Sequence, residues 1–298
     1  MKILITGADG QLGKALEKTK PEKNECIFCN KNQLDITNKK DCEEFILEIK
    51  PDWLINAAAF TNVDKAEELK ELTYKVNSEG PTELCKILSG YGGRLLQFST
   101  DFVFNGEKSY PYSINDKVNP INIYGMSKVN AEKNILNYSG HVILRSSWIY
   151  SDFGNNFLKT ILRLQKNYFQ NNEPLKVVLD QVGTPTSAYT LSKLCWLIVN
   201  SKRLDRSQTL IFHWSDSGVA SWYDFAHAIG DLSLRHGLID NLPKIEPILT
   251  KDLDSKALRP KYSVLNSFIT REFFDLQSYH WRDELNNVLK KISSSIMN

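Results

Sequence analysis

Apolar residues in the first half of the chain gather in short, nearly continuous runs at residues 3–5, 26–29, 53–55, 95–98 and 142–144. Longer polar stretches separate the runs, with apolar pairs at helical spacing inside them, such as Leu12 with Leu16 and Phe45 with Ile49. Strands buried on both faces by crossover helices have this signature, because neither face meets water. The pattern predicts a doubly wound α/β fold, a Rossmann-like parallel sheet. After Trp148 the rhythm changes, with helices predicted over 155–168, 190–200 and 222–235 and strands over 176–179 and 210–213. These two strands suggest that the chain revisits the sheet before finishing in a smaller α/β lobe. We therefore expect residues 1–147, with a return segment at about 187–214, to form the sheet domain, and 148–186 with 215–298 the lobe.

Composition narrows the class without naming an activity. At 298 residues the chain allows one large domain or two of about 150 residues. It is 42% hydrophobic and 24% charged, which excludes disorder, collagen and coiled coil for the whole chain. Its net charge of +2 is too balanced for a protein that neutralises a nucleic-acid backbone. The longest apolar run, 194–199, has six residues, far below the roughly 18 that cross a bilayer. Gly7 and Gly10 interrupt the stretch where a secretory signal would need an apolar core. Five cysteines, a low and odd number, point to a reducing, cytoplasmic compartment. Cys26 and Cys29 form an isolated Cys-x-x-Cys with no second pair, so no metal site is expected.

Residues 3–13 read as a strand, a glycine-rich turn and the opening of a helix. Gly7 allows the tight turn, Gly10 lets backbone approach a pyrophosphate, and Gly13 lets the helix pack closely on the strand. Amides at the helix start, at Gln11 and Leu12, then face the anion. Dinucleotide-binding folds that take NAD place an acid on the ribose about 20 residues past the glycines. Here Asn30 and Lys31 follow the second strand, so no carboxylate repels a 2′-phosphate. Lys31 either pairs with such a phosphate or is a solvated loop lysine, which favours NADPH while leaving NADH open.

Tyr124 and Lys128 lie four residues apart at a predicted helix start, one turn apart on one face. A tyrosine ionises near pKa ~10, and a nearby lysine with an oxidised nicotinamide would lower it toward the working range. Ser99, Thr100 and Asp101 follow the fourth strand, where open α/β sheets bind ligands. A hydroxyl there either donates to a carbonyl oxygen that gains charge or caps a turn.

Gly7-x-x-Gly10-x-x-Gly13, Asn56-Ala-Ala-Ala59, Ser99-Thr-Asp101 before Val-Phe, and Tyr124-x-x-x-Lys128 together resemble the extended short-chain dehydrogenase/reductase family. Leu144-Arg-Ser-Ser-Trp148-Ile-Tyr150, Gly154-Asn-Asn-Phe157, Gly183-Thr-Pro-Thr186 and Arg259-Pro260 narrow the resemblance to its dTDP-4-dehydrorhamnose reductase branch. It implies reduction of the 4-keto group of dTDP-4-dehydro-6-deoxy-L-mannose to dTDP-L-rhamnose, a precursor of surface polysaccharide. By the same resemblance Tyr124 protonates the forming alkoxide, Lys128 holds the nicotinamide ribose, and Thr100 polarises the carbonyl. Asp101 and Trp148 fall where the family contacts the sugar. Asp35 and Ile36 match adenine contacts, Ala57, Ala58 and Ala59 the path beneath the cofactor, and Phe98 the strand end near the nicotinamide. Arg259 is a candidate for the substrate diphosphate, since a guanidinium fork suits it. Asn77 matches a helix asparagine near the catalytic lysine, as support or simple packing.

Phe102, Asn105 and Ser146 stand where the family usually has Tyr, Asp and Thr. Ala15 replaces a helix glutamate that in some members binds magnesium at a dimer interface, which argues against a metal-bridged dimer but leaves room for a homodimer. Two alternatives stay open. Another nucleotide-linked 4-keto-6-deoxyhexose would use the same chemistry. Phe212-His-Trp-Ser215 also resembles the non-catalytic regulatory β subunit of methionine adenosyltransferase, an NADP-binding relative.

Overall fold

The computed structural model describes residues 1–171 and 174–297; residues 172, 173 and 298, which fall in the expected second lobe, lie outside the described residues. Four βα units and a fifth strand open the chain. Strands β1 (Lys2–Thr6), β2 (Glu25–Cys29), β3 (Trp53–Asn56), β4 (Arg94–Thr100) and β5 (Val142–Ser146) alternate with helices. These are α1 (Gln11–Thr19), α2 (Lys39–Ile49), α3 (Val63–Glu68), α4 (Lys70–Tyr74), α5 (Gly80–Ser89) and α6 (Ile123–Ile135), with a π turn, Lys75–Glu79, before α5. The remainder holds β6 (Ile149–Tyr150), α7 (Phe157–Asn171), β7 (Leu175–Val178), β8 (Val182–Gly183), β9 (Thr186–Ser187) and α8 (Ala188–Asn200). Then come β10 (Leu210–Trp214), β11 (Ala220–Ser221), α9 (Trp222–Arg235), β12 (Ile245–Ile248), α10 (Phe268–Phe274) and α11 (Trp281–Met297).

Six strands pair in the order β2-β1-β3-β4-β5-β10, all parallel. The doubly wound expectation holds, and the strand order reverses between β1 and β3, which opens a crevice at their carboxyl ends. Ile3, Ile5, Leu16 and Leu191 pack on one face and Leu4, Leu54, Ile46 and Leu84 on the other. Each such fully buried aliphatic side chain contributes about 1.5–3 kcal/mol. The continuous strand runs are apolar because helices cover both sides.

β10 does rejoin the sheet beside β5, as its sequence suggests. The strand expected at 176–179 does not: β7 pairs in parallel with β12 in a separate two-stranded sheet. A short apolar run carries no record of which partner will satisfy its backbone, and here β12, far along the chain, is the nearer edge. Leu158, Phe225, Ile229, Leu285 and Leu289 form the core of this second region. Phe273 and Phe274 of α10, by contrast, pack on Phe212 of the main sheet. Among the described residues no helix is long and apolar enough to cross a membrane.

Candidate active site

The crevice between β1 and β3 is built from backbone. Gly7 has φ +69°, and a Cβ there would sit 2.6 Å from the Ala58 amide nitrogen. At Gly13 a Cβ would lie 2.4 Å from the Gly7 carbonyl oxygen, so both positions exclude any side chain. The Gly10 amide donates to Gly7 O at 3.0 Å, and the Ala8 amide to Cys29 O at 3.1 Å, tying the turn to β2. Helix α1 starts at Gln11 without a side-chain cap, which leaves its first amides for an anion. The Gln11 side chain donates to Ile149 O, and the Leu12 side chain is core, so both residues offer their backbone to the crevice. A bare cradle of this kind fits a dinucleotide pyrophosphate.

At the end of β2, Asn30 accepts from the amides of Asn32 and Gln33, closing a turn. Lys31 is exposed and lies 3.8 Å from Asp35, a loose pair that leaves its ammonium available to a second anion. Asp35 itself accepts from the Thr37 amide and hydroxyl. Ile36 is buried and its carbonyl lies against Gly80.

A buried polar ladder that the sequence reading misses joins three strand ends. Thr6 donates to Asn56 Oδ1 at 2.6 Å, Asn56 Nδ2 to Gln97 Oε1 at 2.7 Å, and Gln97 Nε2 to Phe98 O at 2.8 Å. Lys128 Nζ reaches the same Phe98 carbonyl at 3.3 Å. The only signal in the sequence is a polar residue just past two of the apolar runs, Thr6 and Asn56, and one inside a third, Gln97.

Asn122 caps α6 through the Gly125 amide and so starts the helix where Tyr124 faces Thr100. Burial pushes the Tyr124 phenol up to about 12, the neighbouring Thr100 hydroxyl opposes this, and the Asp101 charge adds to it. Burial, rather than the charge of Lys128, sets this direction. Burial brings Lys128 down to about 8, with Glu132 one turn along opposing. Asn77 donates to Ser127, the neighbour of Lys128, at 3.2 Å and makes two bonds to the Phe60 backbone. It thus sits against the lysine's own helix turn.

Thr100 does cap the turn that follows it, accepting from the Phe102 amide at 3.1 Å, and donates to Asp101 Oδ1 at 3.0 Å. Asp101 is 2% exposed and its Oδ2 has no hydrogen-bond partner. Burial raises this carboxyl to about 7, against the influence of the Ser263 and Thr100 side chains.

Trp148 adopts φ +44°, a conformation that costs a bulky residue energy. Its ring stacks on Trp222 at 3.4 Å and 4°, and a Cβ on Gly183 would meet the indole at 2.6 Å. Trp222, from the far end of the sequence, was not among the candidate residues. Arg259 is engaged by Asp64, with Nη2 2.6 Å from Oδ2. Asn122 holds the adjoining Leu258 carbonyl at 2.7 Å, so this segment rests on the start of α6. The segment 212–215 is architectural: His213 is buried and bonds Arg145 and the Tyr112 carbonyl.

Known proteins bear on this geometry. The profile of the RmlD substrate binding domain family matches residues 1–294. The chain is 37% identical over 293 residues to a dTDP-4-dehydrorhamnose reductase of Aggregatibacter actinomycetemcomitans, covering 96% of this chain and 98% of that one. A crystal structure of a dTDP-4-dehydrorhamnose reductase from Clostridium acetobutylicum superposes with a TM-score of 0.89 at 38% identity, over 98% and 99% of the two chains. The Bacillus anthracis dTDP-4-dehydrorhamnose reductase in complex with NADP gives 0.87 at 32% identity, over 97% and 99%.

Proposed function

Because the chain belongs to the family described as the RmlD substrate binding domain, we propose that it is an NADPH-dependent oxidoreductase that reduces dTDP-4-dehydro-6-deoxy-L-mannose to dTDP-L-rhamnose. The observation that carries this reading is Tyr124, Thr100 and Lys128 converging at the carboxyl end of β4, beside the side-chain-free turn of Gly7 and Gly13. NADPH supplies the hydride when bound. The amides of Gln11, Leu12 and Gly13 would hold the pyrophosphate, Lys31 and Asn30 the 2′-phosphate, and Asp35, Ile36, Ala57–Ala59 and Phe98 the remaining length of the cofactor.

A phenol held near 12 arrives protonated at neutral pH, which is the form needed to give its proton to the alkoxide oxygen. Thr100 has one hydroxyl proton, which it donates to Asp101 Oδ1. A substrate carbonyl must win it, so Asp101 and Thr100 reorganise as the sugar enters. Lys128, fixed by Phe98 O, would hold the nicotinamide ribose and offer positive charge on the helix face it shares with Tyr124. Trp148 walls the sugar, and Arg259 exchanges Asp64 for the diphosphate. Within this reading 1–147 with 187–214 bind the cofactor and 148–186 with 215–298 the sugar nucleotide. The five free thiols accord with a cytoplasmic setting.

The test is NADPH oxidation with freshly generated dTDP-4-dehydro-L-rhamnose and identification of the product sugar. Turnover with formation of dTDP-L-rhamnose is expected. Faster turnover of CDP- or GDP-linked 4-keto sugars would move the assignment to another sugar, and tight NADPH binding without turnover of any of them would turn it toward a regulatory role.

A further inference from the structure

Arg94 begins β4, at the end of the sheet opposite Thr100, about 20 Å away along six residues of strand. It is 4% exposed. Its Nε donates to Gly140 O at 2.5 Å and its guanidinium lies 4.2 Å over the Trp53 ring, but Nη2 is buried with no hydrogen-bond partner. No ion pair among the described residues includes it. Burial and the nearby Arg206 bring its pKa down to about 10, so it is a cation at neutral pH. A buried cation without a counter-charge is among the costlier features a fold can carry.

A second unpartnered donor lies in the same wall. Asn24 Nδ2 is also buried without a partner. Both residues line a cavity of about 610 Å³ together with Lys23, Trp53, Lys202 and Arg206, and no Asp or Glu lines it. Its size is within the roughly 300–1,000 Å³ of small-molecule sites. A smaller cavity on the far side of Arg94, about 390 Å³, also has Arg206 in its wall and no acid. The carboxyl-terminal turn of α8 forms part of the larger wall; its carbonyls carry only a partial negative charge, against four cationic side chains.

We propose that this cavity binds a small oxyanion of the phosphate class, either free phosphate or the phosphate group of a phosphorylated metabolite. The guanidinium of Arg94 and the amide of Asn24 would supply donors to phosphate oxygens once the side chains adjust toward the cavity, and Arg206, Lys23 and Lys202 supply further positive charge in the same wall. Arg94 covers the Trp53 face, which leaves no aromatic platform there for a base. The site is separate from the cofactor crevice, since its residues lie at the start of β3 and β4 whereas the crevice lies at the ends.

The experiment is thermal melting of the full chain with NADP+ and dTDP at saturating concentration, so that the anion sites of the crevice are filled. Phosphate and glucose 1-phosphate are titrated against chloride at matched ionic strength. A saturable rise in Tm with phosphate is expected. A tighter response to glucose 1-phosphate identifies a phosphorylated metabolite, and an equal one identifies free phosphate. Asn24→Ala and Arg206→Ala alter side chains that no other contact depends on, and each should weaken the response about tenfold. Arg94→Met should abolish it while melting no lower than the parent without phosphate, because an apolar chain there removes an unpaired charge. Absence of a phosphate-specific rise in the parent overturns the proposal, as does a rise that survives in both Asn24→Ala and Arg206→Ala. The last two variants carry the test if Arg94→Met does not fold.

Discussion

Two arginines on neighbouring central strands are equally buried and kept in opposite ways. Arg145, on β5, is 3% exposed and meets Glu132 through Nε at 2.9 Å and Nη2 at 2.6 Å, with Nη1 3.2 Å from His213. Arg94, on β4, has one carbonyl, one ring face and an orphan nitrogen. Arg145 ties helix α6 to β5 and β10 and needs nothing from outside. Arg94 lies at the amino end, where no ion pair among the described residues reaches it, and its missing partner is what motivates the proposed oxyanion site. A buried charge thus stabilises or waits according to whether the fold brings an opposite charge to it, and the residue type alone does not say which.

The comparison can be pressed first where chemistry and architecture meet. Tyr124→Phe should lower kcat by ~10²–10⁴-fold, the range for losing a general acid, while NADP+ affinity by titration stays near that of the parent. Wild-type-like turnover would remove Tyr124 from the proton-donor role. Glu132→Gln would convert Arg145 into a second unpaired arginine and should cost about 3–5 kcal/mol in urea unfolding. That loss contrasts with the unchanged stability expected of Arg94→Met, and equal losses would erase the distinction drawn between the two ends.

Smaller effects sharpen the same contrast. Thr100→Val should lower kcat/KM about 10²-fold, as for one donor to a developing oxyanion, with unfolding little changed. The alkaline limb of kcat/KM should fall near pH 8, where buried Lys128 loses its proton, rather than near ~10.4 for an ordinary lysine. The Glu132 charge raises the Lys128 value, so in Glu132→Gln the limb moves to lower pH; movement to higher pH would show that Glu132 does not act on the lysine. Lys31→Ala should narrow the preference for NADPH over NADH by only a few-fold, as expected for an exposed charge pair.

Much of the site was legible. Gly7 and Gly13 announce themselves because no other residue fits those backbones, and Tyr124 and Lys128 because helical spacing alone sets them on one face. The ladder of Thr6, Asn56 and Gln97 was not legible, since a polar residue within or just past an apolar run looks the same whether or not its neighbours on adjacent strands complete it. Trp222 escaped notice for a similar reason: it stacks on Trp148 across more than seventy residues of chain, and its local sequence shows only a helix start. The upward push of burial on Tyr124 was not legible either, because desolvation depends on what surrounds the ring.

The sequence by itself determined the parallel sheet, the crevice and the placing of Tyr124 and Lys128 on one helix face, all of which follow from local rules of period, turn and spacing. Tertiary structure alone decided that the strand of residues 175–178 joins β12, that Arg259 is held by Asp64, and that Arg94 is left without a partner. Those outcomes depend on which groups arrive from distant parts of the chain. In a low-dielectric interior, the arrival or absence of one carboxylate outweighs any preference written into the residues nearby.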